Sequence, residues 1–172
     1  WGQSLVWCRA AAERGYAPGQ LLMALLLRDS QDASSKGEYL HWLHLAAAQG
    51  DAMAVFLIGK AYALGENAPR EVALGQSLLR AVIALKTSTS LLVQSSEYRH
   101  GIGQAVDVNL ANHYLLQAAA AGEWVAQSDL ANFYRKGDGH LPKDPALSAR
   151  WHDKMLKSLL DMVVNWKPTM AQ

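Results

Sequence analysis

Residues 107–122 read DVNLANHYLLQAAAAG, a segment that opens on an aspartate and ends on alanines and a glycine. Its ending occurs twice earlier in the chain, as Ala11-Ala12-Glu13-Arg14-Gly15 and as Ala46-Ala47-Ala48-Gln49-Gly50. The closing glycines are 35 and 72 residues apart, and 72 is twice 36. This spacing predicts a repeat of about 36 residues, with a hidden copy that ends at Lys86.

Further landmarks share this period. In the hidden copy, Ala81 and Val82 stand in the places of the paired alanines. The other landmarks are tyrosines and glycines spaced by 36, and an aromatic residue or leucine eight positions before each closing position: Tyr62, Tyr98 and Tyr134; Gly65, Gly101 and Gly137; Trp7, Trp42, Leu78 and Tyr114. Trp151 begins the last copy. Three landmarks with one period indicate a true repeat.

Each repeat is expected to contain two helices. The first follows the closing glycine, as in residues 51–64 and 123–136, where small and apolar residues recur at helical spacing. Glycine loops such as Gly101-Ile102-Gly103 end it, because glycine tolerates a positive φ angle. Asp107 or Asp144 then caps the second helix. The paired alanines on that helix allow a neighbouring helix to approach closely.

These features resemble the Sel1-like repeat, a relative of the tetratricopeptide repeat. The family pattern is kept best in two places, by Ala54, Ile58-Gly59, Tyr62 and Gly65, and by Asp107, Ala111, Tyr114-Leu115, Ala118-Ala119 and Gly122. The resemblance implies an all-α fold, an α/α superhelical solenoid of helix-turn-helix repeats with a concave face lined by the first helices. We expect a single repeat domain, residues 1–172, with a partial repeat 1–15, repeats at about 16–50, 51–86, 87–122 and 123–158, and a C-terminal capping segment 159–172.

The chain departs from this pattern in several places. Lys86 replaces a closing glycine and strains the turn by about 1 kcal/mol if it adopts a positive φ angle. A polar loop from Ser30 to Gly37 replaces the Gly-x-Gly link. The chain opens inside a second helix, so we expect further chain upstream, or a partner that covers Val6 and Trp7.

The last repeat ends without the alanine pair and glycine. Apolar residues instead continue at helical spacing up to a proline that stops the helix: Met155, Leu156, Leu159, Leu160, Val163, Val164 and then Pro168. We interpret this segment as a longer closing helix that covers the last repeat. The alternative is a homodimer contact through the C-terminal helix.

Composition argues against several classes of protein. The 172 residues include 16 basic and 15 acidic side chains, a balance that argues against binding nucleic acid or a membrane surface by bulk charge. The apolar run from Leu21 to Leu27 is too short for a transmembrane segment. Cys8 is the single cysteine, so an internal disulfide is excluded and we interpret it as a packing residue.

The sequence offers no clear reactive centre. His41 and His44 have the spacing of two metal ligands on a helix, but zinc needs further ligands and Glu38 is the only nearby acidic residue on that face. Neither a Gly-x-Ser-x-Gly segment nor a phosphate-binding Gly-x-x-x-x-Gly-Lys segment occurs. We therefore expect no enzyme activity, no metal and no cofactor.

Candidate partner-binding residues recur on the first helices. Three arginines lie thirteen residues after a closing position, Lys60 and Asn132 lie ten residues after one, and two aromatic residues lie on nearby turns: Arg28, Arg99, Arg135, Lys60, Asn132, Phe56 and Trp124. Stacked repeats would align them into rows that bind a peptide backbone or acidic side chains, with the aromatic residues as apolar anchors. Alternatively, the charged residues are solvated or pair with neighbours such as Glu97, and the aromatic residues are partly buried packing.

The resemblance implies a non-catalytic scaffold or adaptor that binds a partner protein or peptide in its concave groove. A narrower alternative is an immunity or inhibitor protein that neutralises a secreted toxin enzyme. Less favoured alternatives are a hydrolase that binds cell-wall ligands and a structural spacer. Repeat type and composition suggest a bacterial protein, and localisation stays open, with the periplasm or cell envelope favoured over the cytoplasm.

Overall fold

The computed structural model describes residues 2–28 and 33–165, which form nine α-helices and no strand. The helices are α1 (Gly2–Glu13), α2 (Ala17–Leu27), α3 (Ala33–Ala48), α4 (Ala52–Leu64), α5 (Val72–Ala84), α6 (Ser88–His100), α7 (Val108–Ala120), α8 (Trp124–Lys136) and α9 (Pro145–Asn165). The predicted fold class, all-α with helix-turn-helix repeats of the solenoid type, is confirmed. The helices form two compact units, and the boundary between Leu79 and Arg80 falls within α5.

In the first unit, which extends to Leu79, each helix from α1 to α4 packs on the next. Leu21, Met23 and Leu43 are fully buried there. Gln20 joins α2 to α1 and to the turn after α3, because its amide nitrogen donates to the Ala12 carbonyl at 3.2 Å and its amide oxygen accepts from Gln49 Nε2 at 2.8 Å. These two bonds fix the register of α2 against its neighbours.

In the second unit, from Arg80 to Asn165, α6 packs on α7, α7 on α8, and α8 on α9. Leu115 and Leu130 are fully buried in its core. Gln127 occupies the same repeat position as Gln20, and its Nε2 donates to the Ala119 carbonyl at 2.9 Å. The two glutamines were not predicted from the sequence, although each follows a closing glycine by five residues.

The closing glycines end the second helices as predicted. Gly15, Gly50 and Gly122 have φ angles of 81, 86 and 91°. The residue after each glycine donates its N–H to a carbonyl five residues earlier, as Asp51 does to Ala46 at 3.2 Å. This pattern satisfies carbonyls that a helix end otherwise leaves without a partner, and it requires the left-handed backbone that glycine adopts without strain.

The loops inside the repeats have a common design. Each tyrosine landmark accepts, through its backbone carbonyl, the N–H of the residue just before the next helix: Tyr62 from Glu71, Tyr98 from Asp107 and Tyr134 from Asp144. The predicted helix caps are confirmed, since Asp107 Oδ1 accepts the N–H of Leu110 and Asp144 Oδ1 that of Leu147, both at 2.9 Å.

Lys86 has a φ angle of 54°, so the strained turn expected at this position is confirmed. Its N–H donates to the Ile83 carbonyl at 3.1 Å, just as each closing glycine donates to the carbonyl three residues before it. This match places Val82 and Ile83 in the positions of the paired alanines, one residue later than predicted. The N–H of Thr87 is satisfied by Ser90 Oγ at 3.0 Å.

Replacing this lysine with glycine is expected to stabilise the chain. Lys86→Gly relieves a left-handed backbone that costs a side chain about 1–2 kcal/mol, and the greater entropy of glycine in the unfolded chain offsets part of the gain. We expect a net gain of about 0.5–1 kcal/mol in the free energy of unfolding, measured by urea denaturation. Lys60→Gly, within α4, serves as the control and should lose about 1 kcal/mol. A lower urea midpoint for Lys86→Gly would contradict the strain at this turn.

The predicted loop from Ser30 to Gly37 is corrected by the structure. Helix α3 already begins at Ala33, so Gly37 lies inside a helix. Tyr39 and Leu43 are buried one turn apart, and their packing stabilises helical turns in the polar segment before them. Residues 29–32 lie outside the described part of the chain.

The two ends of the chain agree with the expectations from the sequence only in part. Val6 is 67% exposed, whereas the side chain of Trp7 lies outside the described residues. Helix α9 has 21 residues against 13 in α8, as expected of a longer closing helix. Leu160 nevertheless lies on an exposed face of α9, so that face does not cover the last repeat. Pro168 also lies outside the described residues.

Candidate partner-binding site

Arg28 and Lys60 are brought together in the first unit, but around a very small pocket. The pocket has a volume of about 40 Å³ and is also lined by Tyr39 and Glu66. Asn67 borders it too and donates through Nδ2 to the Arg28 carbonyl at 3.0 Å. Because binding pockets for small molecules have volumes of about 300 Å³ or more, this pocket is too small to be the candidate site.

The two aromatic candidates differ in exposure. Phe56 is only 4% exposed and belongs to the core of the first unit together with Met53. It therefore does not fit the predicted role of an anchor that waits for a partner, and the alternative of packing describes it better. Trp124, the first residue of α8, is half-buried.

Arg99 is half-buried and bonds to other residues of the second unit. Its Nη2 donates to Asn112 Oδ1 at 2.6 Å, and its guanidinium carbon lies 4.6 Å from the centre of the Phe133 ring. Asn112 in turn donates to the carbonyl of Gly139 at 2.7 Å. Arg99 thus joins the end of α6 to α7 and to the loop before α9, which agrees with the alternative that this arginine pairs with neighbours.

The electrostatic surroundings of Arg99 support the same role. Burial lowers the pKa of its guanidinium, while the carboxylates of Asp129 and Asp138 raise that pKa. Arginine stays charged despite such burial, so the cation balances two acidic residues within its own unit. A side chain engaged in this way is less available to a partner.

Arg135 and Asn132 lie in the open, at a cleft between α8 and α9. The cleft has a volume of about 650 Å³ and is lined by Ala131, Asn132, Arg135, Lys143, Pro145, Ser148, Ala149, His152 and Asp153. Arg135 Nη2 donates to Asn132 Oδ1 at 3.0 Å, and both residues are exposed. The structure thus brings two of the predicted residues together in a space that admits a peptide side chain.

The residues on the other side of this cleft were not predicted from the sequence. Lys143 and His152 add cationic or ionisable groups, and Asp153 adds a carboxylate. They belong to α9 and the loop before it, whereas the prediction considered first helices alone. The signal that could have found them is the antiparallel pairing of two helices in one repeat, which places the start of α9 beside the end of α8.

The repeat also explains why Arg135 differs from Arg99. Ser148 follows Asn112 by 36 residues and so stands where Arg135 would find its asparagine partner. The serine is shorter than asparagine, and its hydroxyl donates to the Ala131 carbonyl at 2.8 Å. Arg135 therefore bonds along its own helix to Asn132 and stays exposed.

The histidines singled out in the sequence do not form a metal site in the described part of the chain. His41 and His44 are exposed, and the His41 ring lies edge-on to Trp42 at 5.3 Å. Among residues 2–28 and 33–165, no cluster of three histidine, cysteine or acidic side chains is arranged to bind a metal. In the same residues no helix combines the length and apolar character of a membrane span.

Comparison with known proteins identifies the repeat. Residues 40–51, 95–123 and 124–157 match the family model of the Sel1 repeat. The chain contains Sel1 repeats. The resemblance stated from the sequence is thereby confirmed. Sel1 repeat proteins are generally scaffolds for protein–protein interaction and are typically non-catalytic.

A curated relative of this Sel1 repeat chain is an uncharacterized protein of Neisseria meningitidis serogroup B. The two are 32% identical over 129 residues, which is 74% of this chain and 27% of the relative. The chain therefore spans about a quarter of the length of the curated relative that it matches.

Two solved structures of Sel1 repeat proteins are also similar to the chain. One is a Sel1 repeat protein from Oxalobacter formigenes, with 23% identity over 90% of this chain and 44% of that one, and a TM-score of 0.49. The other is a protective antigen present in uropathogenic Escherichia coli strains, with 23% identity over 89% of this chain and 33% of that one, and a TM-score of 0.49.

Proposed function

We propose that the chain is a non-catalytic scaffold that binds an acidic segment of a partner protein in the cleft between α8 and α9. The observation that supports this proposal is the charge of the cleft lining. It contains three basic residues, Arg135, Lys143 and His152, and a single acidic residue, Asp153. Its volume of about 650 Å³ lies within the range of pockets that bind ligands. The broader role follows from the repeat family, and the cleft is our assignment of where the partner binds.

Asn132 supports this proposal by orienting the arginine. An arginine binds a carboxylate best when its planar group is already positioned for two parallel hydrogen bonds. The bond from Arg135 Nη2 to Asn132 Oδ1 restrains the guanidinium at the cleft while leaving its other donors for a ligand. Binding a partner carboxylate would then cost Arg135 less side-chain entropy.

Binding of a labelled peptide rich in glutamate tests the site. Fluorescence anisotropy should detect binding to the wild-type chain, and Arg135→Glu should weaken it at least tenfold, or by about 1.4 kcal/mol. Lys136→Glu is the matched control, because it makes the same charge change one residue further along α8, outside the cleft lining. We expect it to weaken binding much less, and the melting temperatures of both variants to stay near that of the wild type.

Two results would count against the cleft. Equal weakening by Arg135→Glu and Lys136→Glu indicates attraction by general charge, which salt also screens. Absence of peptide binding to the wild type argues against an acidic ligand.

The remaining groove residues of the sequence prediction, Arg28, Lys60 and Trp124, stay predictions, and neither the toxin-inhibitor alternative nor the hydrolase alternative has support.

A further inference from the structure

The cleft around Arg135 has a covered counterpart one repeat earlier. Three of its residues correspond to residues of α6 and α7 that lie 36 positions before them: Asn132 to Ser96, Arg135 to Arg99 and Ser148 to Asn112. Ser96 and Asn112 are each 7% exposed, whereas Asn132 and Arg135 are exposed. The same surface is therefore covered in the repeat 87–122 and open in the repeat 123–158.

Residues of the following repeat cover Arg99. The ring of Phe133 lies over its guanidinium group, and the carboxylates of Asp129 and Asp138 stabilise its positive charge. Gly139, in the loop after α8, comes so close that a Cβ atom on it would lie 3.0 Å from Arg99 Nη1. Helix α8 and the loop after it thus supply this arginine with an aromatic face and with acidic groups.

An acidic residue of the following repeat also lies near the equivalent arginine of the first unit. Arg28 stands at the repeat position of Arg99, and Glu66 stands at that of Asp138. Arg28 and Glu66 line one pocket. Each unit thus brings an arginine at this position together with an acidic residue of the next repeat, so an acidic contact is a recurring property of the position.

In residues 2–28 and 33–165, no following repeat covers Arg135. Helix α9 continues through Ser158, the place of the next closing glycine, and reaches Asn165 without a turn. Arg135 therefore stays exposed and bonds to Asn132 on its own helix. By the equivalence of the repeats, the cleft of about 650 Å³ lies where the helix and loop of a next repeat would pack.

We propose that the partner segment bound in this cleft is the end of a helix that carries an aromatic ring for the face of Arg135 and, five residues later, a carboxylate. This inference rests on the proposed function, since it specifies the chemistry of the acidic segment. Phe133 and Asp138 have this spacing in the segment that covers Arg99. The ring adds a cation–π contact that carboxylates alone do not offer, so a segment with both groups binds more tightly.

Three labelled peptides test this chemistry by fluorescence anisotropy with the whole chain. The first copies residues 127–140 with Arg135→Gln and Lys136→Gln, which removes cations that the cleft would repel; the others add Phe133→Leu or Asp138→Asn. We expect the first peptide to bind about threefold to fivefold more tightly than the leucine peptide, because leucine is apolar but has no aromatic face. The asparagine peptide should bind about threefold more weakly than the first, because it lacks the carboxylate.

Variants of the chain show whether the ring lies over Arg135. Arg135→Ala should bind the first peptide and the leucine peptide equally. Lys136→Ala, the matched control outside the cleft lining, should keep the preference for the ring. A preference that survives in Arg135→Ala overturns the inference, and so does equal binding of these two peptides to the wild type. An asparagine peptide that binds as tightly as the first overturns the role of the carboxylate.

The glutamate-rich peptide distinguishes this failure from failure of the proposed function. If the wild-type chain binds that peptide through Arg135 but shows no preference for the ring, the cleft binds an acidic segment and only the helix-end chemistry is wrong. If the wild-type chain binds neither the glutamate-rich peptide nor the copied peptides, both proposals are wrong.

Discussion

Gly75→Ala is expected to destabilise the chain by about 3 kcal/mol, the upper part of the range for an overpacked core. A Cβ atom on Gly75 would lie 2.5 Å from the backbone nitrogen of Ala63 and 2.6 Å from the carbonyl oxygen of Gly59. Both obstacles are backbone atoms, so no side chain can rotate away and helices α4 and α5 would have to move apart. Leu79, packed against Gly59 and fully buried, would lose contacts in the same movement.

Gly37→Ala is the matched control for this experiment. Gly37 lies inside α3, and a Cβ there would meet nothing within 4 Å. The alanine should therefore stabilise the chain by about 1 kcal/mol, since glycine is a poor helix former. Urea denaturation of both variants should show midpoints that move in opposite directions. A Gly75→Ala chain as stable as the wild type would mean that α4 and α5 are not this close.

The stability changes expected for these two glycine substitutions have opposite signs, and this difference shows what the sequence can predict and what it cannot. The landmarks predicted the repeat period, the helix pairs and the strained Lys86, because turns and caps depend on residues close together in the chain. In the sequence, Gly37 was assigned to a loop and Gly75 was not singled out. A glycine that allows two helices to touch looks the same in a sequence as one that does not, since the difference lies in the helix opposite.

The candidate site shows the same limit. The period correctly placed Arg99 and Arg135 at equivalent positions of two repeats. It could not decide their roles, because these depend on residues in the following helix, where Asn112 meets the first arginine and Ser148 stands near the second. Phe56 was assigned to a surface on spacing alone, although its 4% exposure places it in the core.

Arg99→Ala is expected to destabilise the chain by about 2–3 kcal/mol, the sum of a charged hydrogen bond and a cation–π contact. The change removes the 2.6 Å bond to Asn112 and the cation above Phe133. It also leaves the carboxylates of Asp129 and Asp138 without the positive charge beside them. Loss of the Asn112 contact should loosen the loop at Gly139 as well.

Arg135→Ala provides the control with the same residue at the same repeat position. Its partner Asn132 is exposed, and surface substitutions change stability by about 0.5 kcal/mol or less. The free energies of unfolding from urea denaturation should therefore separate the two variants by about 2 kcal/mol, while peptide binding should depend on Arg135. If both alanine variants unfold at the same urea concentration, the contacts of Arg99 with Asn112 and Phe133 do not stabilise the fold. If Arg99→Ala lowers stability and Arg135→Ala lowers peptide binding, the arginines at this repeat position have different roles. Arg99 stabilises the fold, and Arg135 binds the partner.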